Sequence, residues 1–121
     1  METTITEINF IARTYDFLEL EILSFNDQTL IVAASKDFSY YHNFEIHFKN
    51  VFAIIGNISW RANTKYDILK IMKGTNDAIE LNKKFNIEEG FNIFSLITED
   101  SMVNYIIAES ILLRNEVVKY Y

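Results

Sequence analysis

The sequence predicts a mainly β domain, with α+β as the alternative: an antiparallel curved sheet, a small sandwich or a partial barrel, with one or two short helices. Half of the residues are hydrophobic, led by 18 isoleucines and 10 phenylalanines, types that suit a pleated, half-buried surface. Residues 17–25 and 43–56 alternate with the period of a strand, and residues 29–35 form a short apolar, β-branched run. The 121 residues contain no proline, repeat or linker, so we expect a single domain over residues 1–121.

The N-terminal third of the chain predicts a hairpin. The first dozen residues fit either a helix or a strand. Residues 17–25 place leucine and isoleucine on one face and Glu19 and Glu21 on the other, which is typical of a strand with one solvated face. After a turn at residues 26–28, a short β-branched run at residues 29–35 completes an antiparallel hairpin.

The strongest strand signal covers residues 43–56. Its alternate positions from 44 to 48 are apolar, whereas Glu45, His47 and Lys49 share the opposite face. The alternation changes phase at Asn50, which predicts a bulge or bend in a long strand. The preceding residues 36–42 are expected to form a loop rich in aromatic side chains.

The second half of the chain contains weaker signals. Residues 58–61 extend the sheet, residues 66–72 fit a helix or a strand, and residues 91–98 form a strand followed by a turn. A short helix is predicted over residues 75–85, with Thr75 or Asn76 as its N-cap. The last segment fits a helix capped by Asp100 or Ser101, but its β-favouring residues make a strand over residues 103–113 the preferred interpretation.

The net charge of −6 argues against nucleic-acid binding, because that affinity comes largely from basic side chains on phosphates. Residues 61–84 depart from this balance with six basic and three acidic residues, a net charge of +3. This segment forms either a basic surface patch or an ordinary fluctuation of surface charge.

Composition also predicts where the chain resides. It has no cysteine, which excludes disulfides and thiolate chemistry. Its first residues show no basic segment followed by an apolar run, so we expect no secretory signal. Apolar runs such as residues 51–55 fall far short of the roughly 18 residues of a membrane helix. We therefore expect a cytoplasmic protein without a membrane partner.

Catalytic, cofactor and metal signatures do not emerge, so no catalytic residue, cofactor or metal ligand is assigned. Glu45 and His47 lie two apart on one strand face and could contact a common ligand, but no spacing supplies a third metal ligand. The simpler interpretation is a solvated face on which His47 meets a cross-strand glutamate. The question of catalysis stays open, although these absences favour binding.

Aromatic residues flank the strongest strand. Tyr40 and Tyr41 precede it, and Trp60 and Arg61 follow it; Trp, Tyr and Arg dominate interface hot spots. The alternative is that Trp60 belongs to the core and the tyrosines cover its rim. The terminal tyrosines need a partner surface or must fold back. The candidate binding residues are Tyr40, Tyr41, Glu45, His47, Trp60 and Arg61.

Residues 15–61 resemble small bacterial proteins of uncharacterised families, several of which are immunity proteins against polymorphic or contact-dependent toxins. The resemblance rests on Tyr15-Asp16 before an alternating strand, on TLIVAAS, and on FEIHFKNVFAIIG with Trp60 shortly after it. It includes the spacing from Phe48 to Val51. The resemblance implies a β-rich fold and non-enzymatic binding.

These observations predict an acidic interaction protein, of the kind that inhibits a basic toxin by binding it. Acidic side chains at Glu19, Glu21 and Glu45 would steer a basic partner. The alternative is a β module in which Tyr40, Tyr41 and Trp60 line the mouth of a small-molecule pocket. Homodimerisation through an exposed strand edge is a further alternative.

Overall fold

The structure is a computed structural model that describes all 121 residues. It contains two helices and nine strands: α1 (Glu2–Ala12), β1 (Leu18–Asn26), β2 (Thr29–Ser35), β3 (Tyr41–His42), β4 (Phe44–Ile55), β5 (Ser59–Ala62), β6 (Leu69–Met72), α2 (Asn76–Phe85), β7 (Asn92–Ile97), β8 (Val103–Arg114) and β9 (Val118–Lys119). Neither helix is long and apolar enough to cross a membrane.

Seven strands form one curled sheet in the order β5-β1-β2-β4-β8-β7-β6, and β3 and β9 form a separate two-stranded ribbon. Every strand pair is antiparallel. The curled sheet has the shape of a half-barrel. The prediction of a mainly β fold with a partial barrel and short helices is therefore confirmed.

The β1–β2 hairpin closes through a two-residue turn. Asn26 pairs with Thr29, so Asp27 and Gln28 alone connect the strands. Both turn residues have positive φ, at 49° and 62°, as a type I′ turn requires. The pairing shifts register between Ile22 and Ser24, which adds a bulge that the alternation of residues 17–25 did not indicate.

The long strand β4 bends where the sequence predicts it. Asn50 has a φ of 51°, and the register with β8 shifts between Val51 and Ala53. Before the bend, Phe44 and Phe48 are fully buried on the face that we call the inner face. The bend redirects the remainder of β4, so that Ala53 packs into a second, smaller cluster.

The two faces of the sheet carry different layers. The inner face holds a core of 20 buried residues that includes Ile8 and Ala12 of α1. Ile93 and Ile107 point the other way and pack with Ala78 of α2. On this outer face, α2 covers one end of the sheet and the β3–β9 ribbon covers the other.

The structure also decides the segments that the sequence left open. The N-terminal segment is helical because Ile5, Ile8 and Ala12 lie on one helical stripe that docks on the inner face. Residues 66–72 contain the edge strand β6, paired with β7. The preference for a strand over residues 103–113 is confirmed by β8.

The predicted short helix is also confirmed. α2 begins after Thr75, whose side chain accepts a hydrogen bond from the Ala78 N–H over 3.1 Å. Lys83 and Lys84 lie in its last turn, where cations are favoured by the helix dipole. The basic residues of segment 61–84 are thus dispersed: Arg61 lies on β5, Lys70 on β6, and Lys83 and Lys84 in α2, whereas Lys65 and Lys73 lie between these elements.

Candidate functional site

Both histidines of the chain meet at one carboxylate. Glu45 Oε2 lies 2.7 Å from His42 Nε2, and Glu45 Oε1 lies 2.7 Å from His47 Nε2. The three residues are buried, with relative exposures of 2%, 9% and 9%. A carboxylate that bridges two imidazoles in this way has both of its oxygens satisfied by charge-assisted or neutral N–H donors.

The backbone positions each member of this cluster. Glu45 and His47 lie two apart on β4 and therefore share its outer face. His42 belongs to β3, which pairs with β9 through Tyr41 with Lys119 and His42 with Val118. The Tyr120 N–H donates to the Tyr40 carbonyl over 2.9 Å, which carries the C-terminus across the outer face.

The Tyr120 side chain completes the cluster. Its hydroxyl lies 2.7 Å from Nδ1 of His42, and the two rings pack with centroids 5.6 Å apart. Tyr120 therefore folds back onto the cluster, although 46% of it stays exposed, whereas Tyr121 is 86% exposed and does not fold back. We call His42, Glu45, His47 and Tyr120 the histidine cluster.

The prediction of a solvated face at Glu45 and His47 is wrong. The β3–β9 ribbon and Tyr120 lie over this part of β4 and exclude water from it. The glutamate that His47 contacts belongs to the same strand, not to a neighbouring one. Local alternation cannot show this, because β9 and Tyr120, which complete the cover together with β3, follow Glu45 by more than 70 positions in the chain.

The protonation states follow from the contacts. Burial raises the pKa of Glu45, but the hydrogen bonds and charges of His47 and His42 together lower it below its ordinary 4.5. An ionised Glu45 accepts from both Nε2–H groups, and Nδ1 of His42 forms a hydrogen bond with the Tyr120 hydroxyl. Burial raises the pKa of Tyr120, and Glu21 and Glu45 raise it further, so this phenol stays protonated.

The histidine cluster is arranged to hold structure together. Both ring nitrogens of His42 are engaged within the cluster, and Nε2 of His47 is engaged by Glu45. No group of three or more histidine, acidic or cysteine side chains is arranged to hold a metal ion. The bonds that the cluster makes fasten the C-terminal segment to the outer face.

Trp60 and Arg61 lie on the edge strand β5, at a different part of the molecule. Trp60 is 8% exposed and belongs to the main core. Arg61 points outward, 3.4 Å from Glu19 and 3.9 Å from Glu99. Its guanidinium also lies over the Phe17 ring, 4.7 Å from the centroid.

Two open cavities of about 360 Å³ each flank β5. Both border Ser59, Trp60 and Arg61. The first is also lined by Glu19, Leu20, Glu21 and Phe38. The second is also lined by Asn57, Thr98, Glu99 and Asp100. Four acidic residues and Arg61 therefore line the two cavities, and we call Glu19, Glu21, Arg61, Glu99 and Asp100 the acidic β5 surface.

The candidate residues from the sequence fall into two groups. Glu45 and His47 join the histidine cluster, and Tyr40 and Tyr41 flank it in the ribbon, with Tyr40 58% exposed. Trp60 and Arg61 lie at β5, and neither tyrosine lines the cavities there. The aromatic mouth expected from Tyr40, Tyr41 and Trp60 is thus not formed around these cavities.

Sequence reasoning missed the residues that arrive from distant segments. Tyr120 enters the histidine cluster, while Glu99 and Asp100 reach the β5 edge from the turn between β7 and β8. Asp100 accepts hydrogen bonds from Thr98 and from the Met102 N–H, and these bonds keep its pKa below 3.8. The sequence indicated these residues only through the paired tyrosines at 120–121 and the acidic turn at residues 99–101.

Comparisons of this chain with protein-family models, curated proteins and solved structures give no match.

Proposed function

We propose that this protein is a non-enzymatic binding protein that docks a basic protein partner on the acidic β5 surface. An immunity-type inhibitor that neutralises a basic toxin is the specific form suggested by the resemblance of residues 15–61. The observation that supports the proposal is that four acidic residues and a single basic residue, Arg61, line two open cavities beside β5.

The charge balance at this surface favours a cationic partner. Arg61 is already paired with Glu19 and Glu99, so the surrounding carboxylates exceed the local positive charge. An uneven field of this kind steers an oppositely charged protein and raises its association rate. Ile58, which precedes β5, is 70% exposed and offers an apolar contact beside the charges.

The histidine cluster supports binding over catalysis. A general base needs a nitrogen or oxygen within reach of substrate, whereas both oxygens of Glu45 already form hydrogen bonds with the two imidazoles. The contact between His42 and Tyr120 holds the C-terminal segment on the outer face. Glu21 links the two regions, because it lines a β5 cavity and also raises the pKa of Tyr120.

The direct test is capture of the partner on the tagged full-length protein at low and at high salt, followed by purification of the captured protein and measurement of its Kd. The first protein to examine is the product of the neighbouring gene, co-expressed with this chain. We expect a basic protein whose retention falls as salt rises, because exposed charge pairs are screened.

Two triple variants, each of which removes three negative charges, distinguish the effect of the acidic β5 surface on binding from the effect of net charge. Glu19→Gln, Glu21→Gln and Glu99→Gln alter the proposed surface, and the control Glu7→Gln, Glu88→Gln and Glu89→Gln alters glutamates that make no ion pair. We expect the first triple variant to weaken binding by about ten-fold or more and the control by less than about three-fold. Recovery of no basic partner at low salt would contradict the proposal.

The cavity that Phe38 and Trp60 line favours small-molecule binding as a second candidate function. Its two glutamates suit a cationic aromatic molecule better than a purely apolar one. Trp60 is the only tryptophan, so titration of a panel of such molecules should change its fluorescence. Unchanged emission with every compound would remove this candidate.

A further inference from the structure

The free edge of β5 presents unpaired backbone groups. Its only strand neighbour is β1. The Ile22 N–H donates to the Ile58 carbonyl over 2.8 Å, which sets the phase of this ladder. Because hydrogen-bonded and non-hydrogen-bonded pairs alternate in antiparallel strands, the N–H and C=O groups of Ser59 and Arg61 point away from β1.

A nearby turn already uses one of these outward groups. The Glu99 N–H donates to the Arg61 carbonyl over 2.7 Å, which independently supports the outward direction. The turn thus occupies one position of an added strand and leaves the rest of the edge open. The groups without a protein partner are the Ser59 N–H, the Ser59 C=O and the Arg61 N–H.

We propose that an extended segment of the basic partner adds to β5 as an antiparallel strand. This inference rests on the proposed function, because it specifies how the partner engages the acidic β5 surface. The cavity of about 360 Å³ beside Ser59 and Arg61 gives the segment room along the edge. Main-chain hydrogen bonds supply affinity in this mode of recognition, and alternate side chains supply specificity.

The register identifies the side chains that the segment needs. Ser59 lies opposite Glu21 on β1, so a residue added opposite Ser59 shares a face with that glutamate, two strand spacings or roughly 10 Å away. Lysine and arginine side chains reach most of this distance toward the carboxylate. We therefore expect lysine or arginine at alternate positions of the segment.

A second copy of the chain is the less suitable occupant. Pairing two β5 edges would bring Glu19, Glu21 and Glu99 of both copies together, and like charges across an interface oppose association. A basic segment meets the same carboxylates with complementary charge. Light scattering that showed a β5-dependent dimer would identify self-association instead and would overturn the assignment to a basic segment.

The probe is a six-residue peptide in which lysine and threonine alternate, with a glutamate–threonine peptide as its charge control. A third peptide carries N-methyl groups on the lysines, which keeps the positive charge but removes the N–H groups that would face Ser59. We expect the first peptide to bind, the acidic peptide not to bind, and N-methylation to weaken binding by about ten-fold or more.

The direct readout is exchange of the Ser59 amide proton with water, measured by NMR on the labelled full-length protein, because Glu99 already fills the position opposite Arg61. With about 90% of the protein bound, the Ser59 amide should exchange about ten-fold more slowly than in the free protein. The Glu99 amide is the internal reference, because it is already hydrogen-bonded. Unchanged exchange at Ser59 would overturn strand addition.

Two substitutions at one position give a second test. Ser59→Pro removes the outward N–H without breaking the ladder with β1, since proline is tolerated on an edge where the N–H faces solvent. Ser59→Ala removes only the hydroxyl. We expect Ser59→Pro to lose about ten-fold in affinity for the lysine peptide and Ser59→Ala to bind normally. Equal affinities in two folded variants would contradict strand addition.

The outcomes separate this inference from the proposed function. If the Glu19, Glu21 and Glu99 triple variant weakens binding of the partner protein while the N-methylated peptide binds normally and the Ser59 amide stays unprotected, the proposed function is supported and strand addition is contradicted. If the triple variant binds the partner as well as the unaltered protein does, both the proposed function and strand addition are contradicted.

Discussion

At the scale of single residues, Glu45 contributes to the response of the protein to acid. The pKa of this carboxyl is lowered in the folded protein relative to 4.5, despite the opposing effect of burial. A folded-state pKa below the unfolded value adds stability above the unfolded pKa, and that stability is lost as pH falls through the folded pKa. The free energy of unfolding should therefore decline as pH falls below about 4.5.

Replacement by Gln tests this linkage. Glu45→Gln should lower the free energy of unfolding at neutral pH by about 1.5–3 kcal/mol, the range for hydrogen bonds to charged groups, and should flatten the decline of that free energy in acid. Denaturant unfolding at several pH values measures both effects. Glu89→Gln is the control, because Glu89 is exposed and makes no ion pair. An unaltered acid profile in Glu45→Gln would contradict the assignment.

Tyr120 provides a second test at the same scale. Tyr120→Phe removes the hydroxyl that contacts His42 and should lower the free energy of unfolding by about 1 kcal/mol. Amide exchange in β9 should become faster, because this bond fastens the ribbon. Tyr121→Phe is the matched control, since Tyr121 is 86% exposed; similar losses in both variants would argue against a specific contact.

These residues also show the limit of local patterns. Alternation places Glu45 and His47 on one face and correctly gives the polarity of that face. It cannot predict that the face is buried, because burial depends on the return of the C-terminus over β4. The two terminal tyrosines indicate that a covering surface is needed, but they do not identify it.

At the scale of elements, Asn9 decides how the helix α1 joins the sheet. Its side-chain amide donates to the Leu69 carbonyl over 2.9 Å, and its carbonyl oxygen accepts from the Ile68 and Leu69 N–H groups. These bonds give the edge strand β6 the partners that a neighbouring strand would supply. A buried asparagine on the apolar stripe of a helix therefore protects a sheet edge.

Removal of this side chain should be costly. Asn9→Ala leaves buried backbone groups of β6 without partners, so we expect the free energy of unfolding to fall by about 2–4 kcal/mol. Thermal and denaturant unfolding measure the loss, and size-exclusion chromatography detects association through the released edge. Thr6→Ala, one helical turn earlier, is the control. Equal stability of the two variants would contradict the role of Asn9.

The elements differ in how far sequence predicts them. The strand at residues 29–35 and the bend at Asn50 are recovered in the structure because a β-branched run and a phase change in alternation are local signals. The helix α1 is not decided by its own residues, since its apolar stripe acquires a partner only when the sheet curls. β6 is equally dependent on context, because Asn9 and β7 hold its two sides.

At the scale of the whole molecule, the curled sheet gathers charges that are separated in sequence. Glu19 and Glu21 come from β1, Arg61 from β5, and Glu99 and Asp100 from the turn after β7. Composition predicts a net negative chain of −6, but only the topology places β1 and this turn on either side of β5. The acidic β5 surface is accordingly a property of the fold, whereas the predicted preference for a basic partner needs only the sequence.

The most direct measurement of this preference is the salt dependence of the association rate between the captured partner and the two triple variants. Steering by the acidic β5 surface predicts that the rate for the unaltered protein falls by about ten-fold or more between about 20 mM and 200 mM salt. The same dependence should persist in the Glu7, Glu88 and Glu89 control and should weaken in the Glu19, Glu21 and Glu99 variant. Equal salt dependences in the two triple variants would contradict the account.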